Sequence, residues 1–507
     1  MKTKILKIIL LCAVSGSLSA LRYIPGSAFN PDIRNDMYYS LLNYPENPRE
    51  ADLSTYETGL YHPFASIPRF TAAFVDAFRT GKARYSLFAY QSPDSLFKAE
   101  FNFQAGYDQS MGDQDYGFLY KGYLIKAALG KHIDLNTYWW NGMFTGNKSS
   151  ALHSELMDVD LEDTSATIRL DNIKADVSYN TDDYTFAIGR GKFPIGNSIS
   201  GSIIMNDSVN DYAYLLAEGR VGDFSVSFMH GSLKADSVSA IYHNPAVNTK
   251  TYPDKFIAMH QLSYHPSHNL SFFIGECVVY GNRGIDLNYL IPNAFWRASE
   301  HNLGDRDNVL VFGGAQFQAL PRLLLYAQTA LDEFSYNKLF TSWWGNKYAV
   351  QGGARYTLPA FMPCSDAPSV TLELTAVRPF TYTHYMNHTM YSHDGRSLGY
   401  PKGSNIVDVS VQYYSPLGHN LSWKTKASYS KQGSYGSDWR QNYNDLFGGH
   451  TQNGTAKWFE GSVTKRSSIN NTLLIDVFAH HRFLLGYSAD YQDEWSTKLY
   501  AGWQFNY

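Results

Sequence analysis

Three histidines and a carboxylate share one short stretch: His384, His388, His393 and Asp394. Imidazoles beside a carboxylate can make a metal site or a general base where the fold brings them to one point. No GxSxG, HExxH or comparable signature accompanies them, and no nucleophile–base pair stands out. Loop histidines that merely touch solvent are the commoner case. The expectation is therefore a protein that is not an enzyme and needs no cofactor or metal. Other ionisable residues gather in separate groups: Arg190 with Lys192, Glu276 with Arg283 and Asp286, Asp305-Arg306-Asp307, and Asp332-Glu333. Tryptophans interleave with them, in Trp139-Trp140-Asn141-Gly142, at Trp296, and in Trp343-Trp344-Gly345-Asn346. Such charges are expected to pair, because an unpaired buried charge is strongly unfavourable. Two arrangements satisfy this. A salt-bridge network could fold the 281–307 segment into an interior, or the groups could converge on a mouth that takes sugars or anions. Aromatic planes suit the C–H faces of carbohydrate rings, while Trp139 and Trp343 also suit a headgroup-level girdle.

The elements that must carry these residues are strands. Phe97, Ala99, Phe101, Phe103 and Ala105 alternate with Lys98, Glu100, Asn102 and Gln104. At the other end Trp495, Thr497, Leu499, Ala501, Trp503, Phe505 and Tyr507 alternate with polar or small partners. Successive strand residues point to opposite faces, so each of these strands has one apolar face and one hydrogen-bonding face. Eighteen such stretches run from 97 to 507, and the connections between them alternate between short and long. The short ones include 130–131, 180–182, 265–269, 319–321 and 480–482. The long ones include 140–164, 191–210, 232–254, 281–307, 332–346, 380–404 and 431–454. That parity belongs to a transmembrane antiparallel β-barrel with periplasmic turns and extracellular loops. Closure leaves no open edge in lipid. The stretch 455–480 is overlong for one strand and is expected to carry a bulge near Ser467–Asn471. Trp139-Trp140 and Trp343-Trp344 fall at outer strand ends.

Composition agrees with a barrel. Aromatics make up 16% of the 507 residues, with 39 Tyr and 30 Phe, and charged residues only 17%. Yet mean hydropathy is −0.32, as expected when lipid-facing residues alternate with wet ones. The net charge of −4 gives no nucleic-acid footprint. Residues 1–20 read as a secretion signal, with Lys2, Lys4 and Lys7 before the apolar Ile5 to Val14 and cleavage after Ala20. Residues 21–96 read as a periplasmic or plug segment and 97–507 as the barrel. The destination is then the outer membrane of a Gram-negative type of cell. The terminal aromatics fit the signal read by the barrel-assembly machinery. Cys277 and Cys364 would remain after cleavage; a disulfide is permitted in that compartment, but nothing in the spacing supports it.

Three blocks carry a family resemblance. Gly275-Glu276-Cys277-Val278-Val279-Tyr280-Gly281-Asn282-Arg283-Gly284, Asn288 to Pro292 and Glu300 to Asn308 resemble the core signature of the Wzi-type capsule assembly proteins. Ile188 to Lys192 through Gly201 to Asp207, and Leu398-Gly399 with Gly403-Ser404-Asn405, are similar to that family too. The likeness spans roughly residues 165 to 507. Phe193-Pro194-Ile195-Gly196 stands where many relatives carry Trp-Gly, and the family's N-terminal helical bundle is not evident. The resemblance implies an 18-stranded outer-membrane lectin that holds capsular or exopolysaccharide at the cell surface, with surface polysaccharide and outer-membrane lipid as partners. The alternative is a porin for small solutes, separated from the lectin by whether 281–307 fills the lumen.

Overall fold

A computed structural model describes residues 88–507, apart from 95, 113–114, 147–166, 182, 237–251, 268, 334, 339–340, 360–366, 418–420, 442, 444–445, 447–453, 478–480 and 507. The expected secretion signal, its cleavage after Ala20 and most of the 21–96 segment lie outside the described residues.

Eighteen antiparallel strands form a closed barrel. In chain order they are β1 (Phe97–Gly112), β2 (Tyr116–Leu129), β3 (Ile133–Gly146), β4 (Thr167–Asn180), β5 (Tyr184–Gly191) and β6 (Tyr212–Val221). Next come β7 (Phe224–Lys234), β8 (Asp254–Ser267), β9 (Leu270–Gly281), β10 (Asn308–Leu320), β11 (Leu323–Glu333) and β12 (Lys347–Thr357). The last six are β13 (Ser369–Val377), β14 (Ile406–Pro416), β15 (Leu421–Gly433), β16 (Val463–Val477), β17 (His481–Gln492) and β18 (Glu494–Asn506). Each strand pairs with its sequence neighbours, and β1 closes on β18 from Gln104↔Asn506 to Gly112↔Lys498. Below that seam a short leading strand, Phe88–Gln91, takes over pairing with β1 from Phe88↔Phe101 to Gln91↔Lys98.

The alternation read from the sequence sorts the two faces. Ile188, Ile274, Leu372 and Leu374 are 60, 59, 50 and 53% exposed and point outward. Their neighbours Glu373, Thr375, Gln351 and Cys277 point inward and are buried. Every strand is paired on both sides and the ladder closes on itself, so the paired backbone can face lipid. Where an inward aromatic needs room, the opposite residue is glycine: Tyr120 lies over Gly106, whose missing Cβ would stand 2.3 Å from the ring.

Two expectations about strands are corrected. Strand sixteen begins at Val463, not 455, and its register with β15 runs from Val463 to Ile475 with no bulge at Ser467–Asn471. Positive φ at Phe459 (60°) and Gly461 (87°) turns the chain just before it. Trp139 and Trp140 lie in the middle of β3, which continues to Gly146, not at its outer end. Cys277 is a free thiol in the wall; Cys364 lies outside the described residues.

Candidate functional site

The lumen between β5 and β15 is crossed by two of the long connections, 192–211 and 378–405. Buried apolar residues from both, including Phe193, Ile203, Met205, Tyr382, Tyr391 and Leu398, form one cluster with inward wall residues such as Met259, Cys277 and Phe312. The segments lock to each other through Asn206. Its backbone N–H donates to Leu398 O at 2.8 Å, and its side-chain amide donates to Ser397 O at 2.8 Å and to Gly399 O. The wall grips them through buried charges. Glu373 on β13 accepts the Ile199 and Ser200 N–H groups at 3.0 and 3.1 Å, Ser198 Oγ at 3.1 Å and Tyr326 OH at 2.5 Å. Lys426 donates to Ile199 O at 2.6 Å, Lys255 to Ser392 Oγ at 3.0 Å, and Asp332 accepts Tyr382 N–H at 2.7 Å. Each buried charge therefore meets loop backbone or hydroxyl, the condition under which its burial is tolerated.

Lys192 belongs to this plug and donates to Asp207 O at 3.1 Å. Asp211 sits at its end, 3.5 Å from Lys174 Nζ, and accepts Asn172 Nδ2 at 2.9 Å. Burial raises the Asp211 carboxyl, but Lys174 and Lys192 outweigh it and hold it below its ordinary value. The histidine loop is absorbed too. Burial drives His384 well below its usual range, and it drives His393 down to about 4 despite Asp394. Neutral His393 accepts the Lys234 N–H at 2.9 Å through Nδ1.

The 281–307 segment does not enter the lumen. Glu276, Val278 and Tyr280 on β9 share the outward face with Phe272 and Ile274, yet are buried. Residues 282–307 fold back over them as a flap outside the wall. Helix α1 (Trp296–Asn302) starts on the Glu276 carboxylate, which accepts the Trp296 and Arg297 N–H groups at 2.8 and 3.2 Å. The Trp296 ring stacks on His260 at 4.0 Å, and His260 Nε2 lies 3.1 Å from Glu276. Arg283 meets Asp307 with two bonds of 2.8 and 2.7 Å and contacts Asp286; Tyr289 OH donates to Asp307 at 2.7 Å. The expected salt-bridge network thus exists, but on the outside. The physical reason lies in register: an outward Glu276 and His260 can only be satisfied by protein lying over them.

At the long-loop end, the described residues of the connections 335–346, 378–405 and 434–462 build an aromatic cap. Trp344, Phe380, Tyr443 and Ala456 cluster, with Trp343, Tyr385 and Tyr435 packed against them. Cations lie over these rings: Lys338 at 4.6 Å from Trp343, Lys347 at 4.5 Å from Tyr443, Arg378 at 5.5 Å from Trp458 and Lys431 at 4.1 Å from Phe459. Lys347 is anchored from below by Glu333 at 3.0 Å. Trp343, Trp458 and Tyr435 remain partly exposed at the surface.

The sequence-derived candidates therefore scatter over four places. Lys192 and Asp332 hold the plug. Glu276, Arg283, Trp296 and Asp307 build the flap, with Asp305 and Arg306 exposed on its far end. Trp343 and Trp344 belong to the cap, in the loop before β12 and not at the end of β11. Trp140 faces inward against Phe118 at 5.7 Å, while Trp139 faces outward against Tyr123 at 5.3 Å. Arg190 follows Ile188 on the outward face and is exposed, yet its charge reaches the plug, helping to lower the Asp211 carboxyl and the His393 imidazole. The sequence reading missed Glu373, Asn206, Lys255 and Lys426. Glu373 carried a signal, as a carboxylate on the inward stripe Thr371-Glu373-Thr375 of an otherwise uncharged strand.

A closed, even-stranded barrel with an apolar outer face, short turns at one end and folded loops at the other is an outer-membrane β-barrel. No family model and no curated protein sequence matches this chain. Among solved structures it is similar to Wzi of Escherichia coli, an outer-membrane protein involved in group 1 capsule assembly and described as a carbohydrate-binding β-barrel. That likeness covers 80% of this chain and 84% of the other, at 14% identity and a TM-score of 0.51. Pseudomonas aeruginosa OccK5 (8% identity, 81 and 97% coverage, TM-score 0.45) and OprD (8%, 84 and 99%, 0.43) are also similar.

Proposed function

We propose that this protein is a non-catalytic lectin of the outer membrane that retains capsular or exopolysaccharide at the cell surface. The observation that carries the reading is the aromatic cap with its overlying cations, seated on a lumen crossed by a wall-bonded plug. Partly exposed rings such as Trp343 and Trp458 offer planes to sugar C–H faces. Lys338 beside Trp343 and Lys431 beside Phe459, both only partly buried, offer charge to acidic sugars or polar bonds to hydroxyls. Each contact is weak, but a polymer presents its repeat many times, and retention then grows by avidity without any turnover. The likeness to a carbohydrate-binding barrel supports the same reading. Deleting the gene and measuring cell-attached against shed polysaccharide tests it: the shed fraction rises if the reading holds, and an unchanged ratio removes it.

One observation favours a second reading, a channel for small solutes. On the side of the lumen away from the plug, Gln104, Lys126, Lys424, Thr472 and Tyr500 face inward and are only partly buried. A large steady conductance in planar bilayers would favour that reading.

A further inference from the structure

The flap has two faces, and only the inner one is accounted for by the wall. Trp296 and Tyr289 are fully buried against it. On the other face Ile285, Leu287, Ile291 and Phe295 are 55, 74, 48 and 62% exposed. The charged exposed residues, Asp305 and Arg306, lie at the C-terminal end with His301 and Asn302, while among the apolar residues the exposed polar side chains are the uncharged amides Asn288 and Asn293. Exposed apolar side chains scattered singly need no explanation, but a group of large ones on one short segment marks a contact surface.

Its position names the contact. Outward residues Ile274 and Leu262 are opposite each other in register, 59 and 45% exposed on the lipid-facing belt. The next outward pair is Glu276 and His260, about 7 Å further along the strands at the usual rise. That pair is what the flap grips: His260 Nδ1 bonds Pro292 O at 2.8 Å, and Glu276 accepts the Trp296 N–H. Residues 291–296 therefore rest at the edge of the lipid belt, and the exposed Ile291 and Phe295 extend its apolar surface.

We propose that residues 282–307 form an interfacial anchor whose stripe Ile285-Leu287-Ile291-Phe295 inserts among the acyl chains of the outer leaflet. The flap widens the barrel's hydrophobic perimeter on the β7–β10 side and keeps its polar end, Asn302 to Arg306, in water. This is how apolar-faced surface segments bind membranes, with the apolar face sunk to the headgroup–acyl boundary. The inference is independent of what the cap binds.

Nitroxide labels placed by Leu287→Cys and Phe295→Cys, in full-length protein whose other cysteines are replaced, test this in phospholipid proteoliposomes. Labels at Ile274→Cys and Arg306→Cys give the lipid and water references, and heat-modifiable migration on gels confirms folding of each variant. The expected result is collision with oxygen but not with a water-soluble nickel chelate at 287 and 295, as at 274. The oxygen-to-nickel ratio at both should stand several-fold above that at 306. Nickel access at 287 and 295 equal to that at 306 would overturn the proposal. So would exclusion of both relaxants with dipolar broadening between molecules, since a second copy would then cover the stripe. Ile291→Cys replaces either variant that fails to fold.

Discussion

Glu373 Oε1 on β13 accepts the backbone N–H of Ser200 at 3.1 Å, so one buried carboxylate of the wall holds the loop that follows β5 inside the lumen. The same carboxylate takes Ile199 N–H at 3.0 Å and Gln351 Nε2 at 3.2 Å. Glu373→Gln keeps the shape but removes the charge and one acceptor. Hydrogen bonds to charged groups contribute roughly 1.5–3 kcal/mol each, so losing two of them should release the loop for part of the time. Planar-bilayer recording should show intermittent openings in the variant that are rarer in the parent protein.

Gly201 lies on the same loop with φ of +100°, and an added Cβ would come within 2.3 Å of the Pro401 ring. Both the backbone conformation and the contact oppose any side chain. Gly201→Ala should cost about 1–3 kcal/mol of plug docking through backbone strain alone. Limited proteolysis should then nick 192–211 while gel migration shows the barrel still folded.

The flap should respond to pH through Glu300. Burial raises its carboxyl to about 7, with Arg297 opposing the shift from 3.0 Å. Its folded value stands above the unfolded one, so the folded flap holds the proton more tightly. Stability from this group is fully present below about 4.5 and is lost as pH rises through about 7. Solvent screening limits the size of the effect. Amide exchange of α1, corrected for its intrinsic pH dependence, should be faster at pH 8 than at pH 5. Glu300→Gln should flatten that difference.

The strands were legible because alternation and loop parity are local, repeated signals. All eighteen stretches read from the sequence correspond to barrel strands, with most ends moved by a few residues and the start of the sixteenth moved by eight. The plug was not legible, because Asn206 and Leu398 meet across the chain and no spacing announces such a pairing. The flap was misplaced although its signal was present. Glu276 alternates with Ile274 and Phe272, so a carboxylate stood on a lipid-facing stripe. Such a residue demands a covering segment outside the wall, and the adjoining 282–307 was the nearest candidate. Arg190 could have been assigned in the same way, since it alternates with Phe186 and Ile188. For the cap, Trp343 and Trp344 were legible but not the cations over them, Lys338 from the preceding loop and Lys347 from the start of β12.

The cap carries the central claim. Trp343 packs under Lys338 and Trp458 under Arg378, and neither lies in the barrel wall. Removing one sugar-stacking ring should cost about 1 kcal/mol per contact, roughly fivefold in affinity, and a polymer multiplies such losses through avidity. The most direct measurement is equilibrium binding of polysaccharide purified from the same cells to the full-length protein in detergent micelles. The parent protein should bind saturably, and the Trp343→Ala, Trp458→Ala double variant should bind at least about tenfold more weakly. Absence of saturable binding by the parent, or binding that the double variant leaves unchanged, would contradict the account.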